Sequence, residues 1–429
     1  MTALKRLVNS TATYALANVI NSAIPFLLLP VLTRVLAPVE YGVVTMFTTV
    51  VSVLTAFTGL SIHGAVSVRH FDVETDHPRF VGTCLGLLAV STSLVLLIVW
   101  LMAGALSRWV EIPEGWLLIA VLASAAQAIV QVRLVIWQVR SEVWRYGLFQ
   151  ILQTALNLGL SLGLILLLGL GWEGRVLGIC VAVFLFAGLA LHGLQCRALV
   201  RWCVDLDYIR AALRFGVPLI PHAVGAMMIA MSDRFIITHL LGIGVTGTYA
   251  VGVQMGMVVG LLADAFVKAF GPHLFSELKS HDSFSDFRIV RQCSVVFLGF
   301  MVLALSYVAL LPYFYPLIVG ERYSASLPVA QLVGFGNAFM GMYYVIAGFL
   351  FFFERTMLLA KLTLVVGLIS IVLAYLLVEK IGVIGAAWAY VLVQLLFFLG
   401  AWRLAQSVFP LPWLSQFRKR NNFHEFLCS

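Results

Sequence analysis

The stretch "IITHLLGIGVTG" at residues 236–247 repeats the pattern of "VLTRVLAPVEYG" at residues 31–42, at an offset of 205 residues. Identical residues occupy three of the aligned positions: Thr33/Thr238, Leu36/Leu241 and Gly42/Gly247. Conservative exchanges occupy four more: Val31/Ile236, Leu32/Ile237, Val35/Leu240 and Ala37/Gly242. A match at a fixed offset indicates an internal repeat. Because each copy stands near the start of one half of the chain, the match predicts a fold made of two similar halves.

The composition predicts that both halves lie in a membrane. Of the 429 residues, 62% are hydrophobic and 11% are charged, and the mean hydropathy is +1.02. Soluble domains are usually about 45–50% apolar and about 25% charged. Apolar runs of about 20 residues, which suffice to cross a bilayer as helices, recur along the whole chain. We predict twelve spans, at residues 11–33, 42–64, 81–105, 116–138, 147–170, 176–195, 215–241, 248–271, 292–314, 328–352, 357–378 and 383–404.

The positive charges predict the orientation of these spans. If the N-terminus is cytoplasmic, 19 of the 27 lysines and arginines fall in cytoplasmic segments. The outer loops then hold only five, namely Arg34, Arg108, Arg175, Arg322 and Lys380. Because basic residues accumulate in cytoplasmic loops, we expect both termini on the cytoplasmic side. We expect no cleavable signal peptide, since the first apolar run is too long for one.

The spans and the repeat together predict an all-α integral membrane protein with two pseudo-symmetric six-helix bundles around a central cavity. The expected divisions are an N-terminal bundle at 1–200, a cytoplasmic linker at 201–214, a C-terminal bundle at 215–405 and a basic cytoplasmic tail at 406–429. The first span of each half contains prolines, namely Pro25, Pro30, Pro218 and Pro221. Since proline kinks a helix, these spans are candidate hinges; the alternative is that membrane helices simply tolerate proline.

Asp233 and Arg234 lie inside the seventh predicted span. A charge at the centre of a membrane helix costs about 2.5–3.5 kcal/mol, so such residues are candidates for function. Neighbouring residues of a helix point about 100° apart, so we expect no direct pairing of the two side chains. At least one of them should find a partner on another helix or in a water-filled cavity. A purely structural salt bridge between helices is the alternative.

Three further sets of charged residues are candidates. Asp264 and Lys268 are four residues apart and share one helix face, so they can satisfy each other near the end of their span. Arg34 ends the first span, where it can bind a ligand or anchor the helix at the interface. Arg133 is a weaker candidate, because it is close enough to Arg140 to extend towards the membrane surface.

Several patterns bear on the chemistry. Polar side chains follow helical spacing in three spans: Asn18 and Asn21; Gln127 and Gln131; Gln150, Gln153 and Asn157. Hydrogen bonds between helices and a wet central cavity both explain such stripes.

No phosphate-binding loop and no hydrolase or metalloprotease motif is found. The cysteines have no metal-site spacing, and none lies in an outer loop. We therefore expect no enzyme, no metal, no cofactor and no disulfide, and topology explains the net charge of +8 without nucleic acid.

A family resemblance rests on four stretches. "SDRFIITHLLGIGVTGTYAVGVQMGMVVGLLADAFVKAFGPHLFSELK" (232–279) looks like the seventh and eighth helices of the Wzx-like oligosaccharide flippases. "LPVLTRVLAPVEYG" (29–42), "VGERYSASLPV" (319–329) and "IGVIGAAWAYVL" (381–392) resemble further stretches of the same pattern. These flippases belong to the multidrug, oligosaccharidyl-lipid and polysaccharide exporters. The resemblance covers essentially the whole chain, but its motifs are mostly structural.

The resemblance implies a substrate and a set of partners. It implies transfer of undecaprenyl-pyrophosphate-linked oligosaccharides across the inner membrane, with membrane lipids, a polysaccharide polymerase and a chain-length regulator as candidate partners. A pyrophosphate anion needs fixed positive charge, for which Arg234, Lys268, Arg34 and Arg133 are the candidates. Asp233 and Asp264 are then candidates for ion coupling, or for holding the cations in place. His222 can titrate near neutral pH, although a structural role beside Pro221 is favoured.

Two other functions remain open. A drug or metabolite exporter of the same superfamily would need an acidic cavity to bind organic cations. A membrane glycan polymerase or ligase would need catalytic groups at the outer surface, and the short outer loops argue against it.

Overall fold

The computed structural model describes residues 26–72, 75–280 and 283–413. These ranges are helical and contain no strand. Eleven of their helices are long and apolar enough to cross a membrane, and Phe26–Val35 is a shorter apolar helix. The all-α membrane fold is therefore confirmed, and twelve membrane helices are consistent with this set. Asn18, Asn21, Pro25 and the tail from residue 414 lie outside the described residues, as do the side chains of Pro221 and His222.

Contacts group the chain into two units. Unit 1 consists of the described residues up to Val251 together with Leu317–Ala325. Its helices are α1 (Phe26–Val35), α2 (Pro38–Gly59), α3 (Ile62–Arg69), α4 (His77–Leu101), α5 (Ala103–Val110), α6 (Glu114–Val139), α7 (Val143–Leu166), α8 (Gly171–Cys196), α9 (Leu206–Gly216), α10 (Ile220–Leu241) and the start of α11 (Ile243–Ser280).

Unit 2 consists of Gly252–Pro316 and the described residues from Ser326 onwards. It contains the rest of α11 and the helices α12 (Ser283–Ile318, to Pro316), α13 (Leu327–Phe352), α14 (Thr356–Ile381) and α15 (Val383–Val408). The bundle boundaries derived from the repeat, at 1–200 and 215–405, remain a prediction.

The two repeat copies meet at their aligned glycines. A Cβ atom on Gly247 would lie 2.0 Å from the carbonyl O of Pro38 and 2.7 Å from the N of Gly42. A Cβ atom on Gly42 would lie 2.0 Å from the carbonyl O of Ile243. Any side chain larger than hydrogen would therefore collide with backbone. Glycine at both positions lets α2 and α11 cross backbone against backbone, a packing mode that membrane helices favour.

The aligned threonines also share a local role. The hydroxyls of Thr33 and Thr238 each donate to the carbonyl O four residues earlier, at 2.8 Å. Both threonines are buried. Each hydroxyl then has a second partner, which is the N of Gly320 for Thr33 and the hydroxyl of Thr246 for Thr238. In both copies of the repeat, the threonine near the end of the helix therefore forms a hydrogen bond to a following segment of the chain.

An amide in α13 organises the packing of unit 2. Asn337 is 1% exposed, and its Nδ2 donates to the carbonyl O of Gly256 on α11 at 3.0 Å. Its Oδ1 accepts from the hydroxyl of Tyr390 on α15 at 2.9 Å. A polar group buried in a membrane protein must find such partners within the protein. Asn337 therefore connects three helices of the unit.

The glycine crossing predicts the effect of a single methyl group. Gly247→Ala should destabilise the protein by about 1–3 kcal/mol or more, because the crossing has no free volume. Gly159→Ala is the matched control, since a Cβ atom at Gly159 meets nothing within 4 Å. That control should be neutral or slightly stabilising, because alanine favours helix. Midpoints of thermal unfolding in detergent measure both effects, and equal midpoints would contradict the role of the crossing.

Candidate functional site

Asp233 and Arg234 on α10 contact each other directly. The Nη1 of Arg234 lies 3.0 Å from the Oδ1 of Asp233 and donates to the carbonyl O of Ala230 at 2.6 Å. The expectation that these neighbours cannot pair is therefore wrong. The arginine side chain is long enough to fold back along the helix, so the 100° between the two Cα–Cβ directions does not separate the charged groups.

Asp233 also has a partner on the next helix, as we predicted for at least one of the two residues. The hydroxyl of Tyr249 on α11 donates to the Oδ2 of Asp233 at 2.5 Å. Asp233 is 9% exposed and Tyr249 is fully buried. The backbone N of Arg234 donates to Oδ1 at 2.8 Å. The carboxylate is therefore held by an arginine, a tyrosine and a backbone amide.

Arg133 on α6 is buried to 2% exposure. The expectation that it extends to the membrane surface is wrong, because neighbouring groups enclose it. Its guanidinium carbon lies 4.3 Å from the ring centroid of Trp137, one turn further along α6. Helix α8 also lies close to the guanidinium, since a Cβ atom on Gly193 would lie 3.5 Å from Nη2. Among the described residues, the Nη1 of Arg133 has no hydrogen-bond partner.

Three more arginines stand near Arg133 and define what we call the arginine cluster, consisting of Arg133, Arg140, Arg145, Arg197 and Glu142. Glu142 forms salt bridges with Arg145 and with Arg197, the latter at 3.8 Å. Arg140, Arg145 and Arg197 repel the charge of Arg133, and Glu142 attracts it. The cluster therefore contains four guanidinium groups and one carboxylate, and this excess of positive charge suits an anion.

Arg140, Arg145 and Arg197 count among the cytoplasmic basic residues that predict the topology, and the sequence did not indicate them as site residues. The available signal was the seven-residue spacing from Arg133 to Arg140, which puts both on one helix face. The proximity of Arg197, which follows α8, could not be read from the sequence because it depends on how α6 packs against α8.

Arg34 and Arg175 have structural partners. Arg34 is exposed and donates to the carbonyl O of Pro30 and of Leu317, at 2.7 and 2.8 Å. These bonds support the anchoring alternative for Arg34. We predicted Arg175 in an outer loop, and this is wrong. It lies within α8, which begins at Gly171 rather than at residue 176. Its Nη1 donates to Asn157 and Ser161 on α7, at 2.6 and 2.7 Å.

Lys268 and Asp264 on α11 belong to unit 2. The Nζ of Lys268 lies 2.6 Å from the Oδ2 of Asp264, as the four-residue spacing predicts. Their side chains are 56% and 42% exposed. Two such accessible groups contribute little to stability as an ion pair, and both remain open to another ligand.

The chain matches the family model described as "Polysaccharide biosynthesis protein" over residues 7–277. The matched region is more than half of the chain. The chain belongs to the polysaccharide biosynthesis protein family.

Two relatives are proteins of Haemophilus influenzae. An uncharacterized membrane protein is 27% identical over 279 residues, which are 64% of this chain and 66% of the relative.

A protein of the Lsg locus of the same organism is 25% identical over 275 residues, which are 62% of this chain and 65% of the relative. The chain therefore spans slightly less than two thirds of the length of either curated relative.

Solved structures show the same fold at low sequence identity. The lipid II flippase MurJ, in an inward closed conformation, has a TM-score of 0.74 at 11% identity, with 92% of this chain and 87% of that chain covered. An inward-facing MATE family transporter of the MOP superfamily has a TM-score of 0.69 at 14% identity, with 95% and 98% covered. A mutant of the Vibrio cholerae MATE transporter VcmN has a TM-score of 0.61 at 14% identity, with 94% and 96% covered. This family member therefore has a transporter fold.

The Asp233 network predicts a strong dependence on one hydroxyl. Tyr249→Phe should lower the free energy of unfolding by about 1.5–3 kcal/mol, because a hydrogen bond to a charged group is lost. Tyr307→Phe is the matched control, since its hydroxyl donates to the neutral carbonyl O of Met255 at 2.8 Å. That control should lose only about 0.5–1.5 kcal/mol. A smaller loss for Tyr249→Phe than for Tyr307→Phe, measured by thermal unfolding, would contradict the assigned network.

Proposed function

We propose that this protein is a Wzx-like flippase. It moves undecaprenyl-pyrophosphate-linked oligosaccharide repeat units from the cytoplasmic to the periplasmic leaflet of the inner membrane, for surface polysaccharides such as O-antigen. Both termini are cytoplasmic in this proposal. Transport proceeds by alternating access and is driven by an ion gradient or by the membrane potential. The family match and the arginine cluster support the proposal.

The observation that carries the proposal is the guanidinium of Arg133. It is buried in a membrane helix with Nη1 lacking a partner among the described residues. Burying such an unpaired charge costs free energy unless an anion binds to it. Arginine donates paired hydrogen bonds that match phosphate oxygens, and the attraction strengthens where water is excluded. A pyrophosphate linkage supplies an anion of this kind.

The exposed arginines of the cluster have a different role from Arg133. The side chains of Arg145 and Arg197 are 53% and 43% exposed, so they can meet the pyrophosphate first. Arg133 then binds it after a local opening, since the group is covered in this conformation. The charge distribution predicts this end of α6 to be cytoplasmic, which is where lipid-linked intermediates must enter.

The other candidate residues act later in the proposed cycle. Arg234 and Lys268 are further pyrophosphate contacts, each released from its neighbouring carboxylate when substrate arrives. Asp233 and Asp264 then become free to take up a coupling cation or proton. Arg34 positions the end of α1 instead of binding substrate.

An exporter of organic cations is the second candidate. The MATE-like fold and the carboxylates Asp233 and Asp264 within membrane helices favour it. An organic cation, however, would be repelled by the arginine cluster, which contains four cations and one carboxylate. A glycan polymerase or ligase has no observation in its favour. A polymerase and a chain-length regulator remain proposed partners of the flippase.

A leaflet-access assay tests the function. The full chain is reconstituted into liposomes that contain a labelled polyprenyl-pyrophosphate oligosaccharide, and a membrane-impermeant lectin reports the sugar in the outer leaflet. The flippase should make all of the labelled sugar accessible with time, whereas protein-free liposomes retain a protected fraction. Uptake of a fluorescent organic cation by the same vesicles tests the exporter. Cation transport without sugar exchange would refute the flippase.

Arg133→Met separates function from folding. Methionine keeps the volume and removes the buried charge, so the variant should be as stable as the wild type or more stable by about 1–4 kcal/mol. Oligosaccharide exchange should nevertheless be lost. Arg108→Met, at an exposed arginine on α5, is the matched control and should keep transport. Retained transport in Arg133→Met, or a large loss of stability, would show that Arg133 is a structural residue.

A further inference from the structure

Helix α9 is attached to the rest of unit 1 by one of its faces. The hydroxyl of Tyr208 accepts a hydrogen bond from the N of Asp76 at 3.1 Å, and its ring lies 5.5 Å from that of Phe80. Ala212 is buried, and Phe215 lies against Gly64, where a Cβ atom would come within 2.9 Å of its ring. Because Asp76 immediately precedes the membrane span α4, α9 is held at the membrane surface.

The opposite face of α9 is apolar and open. Leu206, Ile209 and Leu213 follow helical spacing, and Val217 continues their line. Leu206 is 73% exposed and Val217 is 48% exposed, and Ile209 and Leu213 between them are partly buried. An open groove of about 670 Å³ runs along this face. A helix at the membrane surface with an exposed apolar stripe inserts that stripe into the boundary between headgroups and acyl chains.

Arginines border this stripe. Arg210 and Arg214 line the same groove, and Arg214 also lines a second cavity of about 340 Å³ on the other side of α9, together with Arg69 and Asp72. Arg69 is paired with Asp72, and Arg210 lies 3.5 Å from Asp207. Within the described ranges, no carboxylate lies in salt-bridge distance of Arg214. The guanidinium of Arg214 therefore has no carboxylate partner among the described residues, and it lines two cavities at the membrane surface.

We infer that α9 binds an anionic glycerophospholipid, whose phosphate contacts Arg214 and whose acyl chains lie along Leu206, Ile209 and Leu213. The combination of an apolar stripe with adjacent arginines fits a lipid better than free phosphate, which would leave the stripe uncovered. The lining of the groove contains Arg210 and Arg214 and no carboxylate, which favours an anionic headgroup over a zwitterionic one with its ammonium group. This site is separate from the arginine cluster.

Native mass spectrometry of the full chain in detergent tests the inference. Equimolar phosphatidylglycerol and phosphatidylcholine with identical acyl chains are added, and bound molecules of each are counted. Wild type should prefer phosphatidylglycerol. Arg214→Gln should weaken phosphatidylglycerol binding about fivefold, the effect of about 1 kcal/mol per basic residue near a membrane surface, and should reduce the preference for phosphatidylglycerol over phosphatidylcholine. Arg108→Gln is the matched control and should change neither affinity.

A second variant distinguishes a lipid from its headgroup alone. Leu213→Asn should weaken both lipids, because the stripe contacts acyl chains. Equal binding of the two lipids by wild type, or an unchanged phosphatidylglycerol affinity in Arg214→Gln, would overturn the inference. Displacement of phosphatidylglycerol by inorganic phosphate, with no effect of Leu213→Asn, would overturn it in favour of a phosphate site. The lipids carry no glycan, so failure here leaves the proposed transport function untouched.

Discussion

The backbone crossing of α2 and α11 at Gly42 and Gly247 is the contact on which unit 1 depends. The carbonyl groups of Pro38 and Ile243 lie so close to Gly247 and Gly42 that a Cβ atom on either glycine would collide with them. The crossing lies in the first turns of α11, which begins at Ile243, and Tyr249 follows Gly247 by two residues. The hydroxyl that holds Asp233 is therefore positioned by the same approach of two backbones. Packing and the charged network are consequences of one constraint, the absence of a Cβ atom.

Charge in the described membrane helices is neutralised unevenly. Asp233 and Arg234 satisfy each other with help from Tyr249, and Asp264 and Lys268 form a more exposed pair. Arg133 has an aromatic ring beside it but no carboxylate in salt-bridge distance among the described residues. Arg175 also has no carboxylate in salt-bridge distance among the described residues, but it donates to Asn157 and Ser161. Since a membrane interior supplies neither water nor counterions, the buried guanidinium of Arg133, with no partner for its Nη1, calls for a functional explanation. The proposed substrate provides that explanation through its pyrophosphate.

Hydropathy predicted the all-α membrane fold, because membrane helices are defined by length and composition, whereas the two halves derived from the repeat remain a prediction. The aligned glycines and threonines proved to be contact residues, which a repeat alignment can reveal. The side-chain environments were harder to predict. Arg234 reaches its neighbour because its side chain bends back, and Arg133 is buried because Trp137 and α8 enclose it. Such outcomes depend on rotamers and on packing between helices, which a single sequence does not encode in any simple pattern.

The most direct measurement is an experimental structure of the protein with a bound polyprenyl-pyrophosphate oligosaccharide. The distances from the pyrophosphate oxygens to the guanidinium groups of the arginine cluster and of Arg234 decide the central claim. We predict charge-assisted hydrogen bonds of about 2.7–2.9 Å to Arg133, to another arginine of the cluster or, in a later state, to Arg234. A pyrophosphate bound out of reach of all these guanidinium groups would contradict the claim.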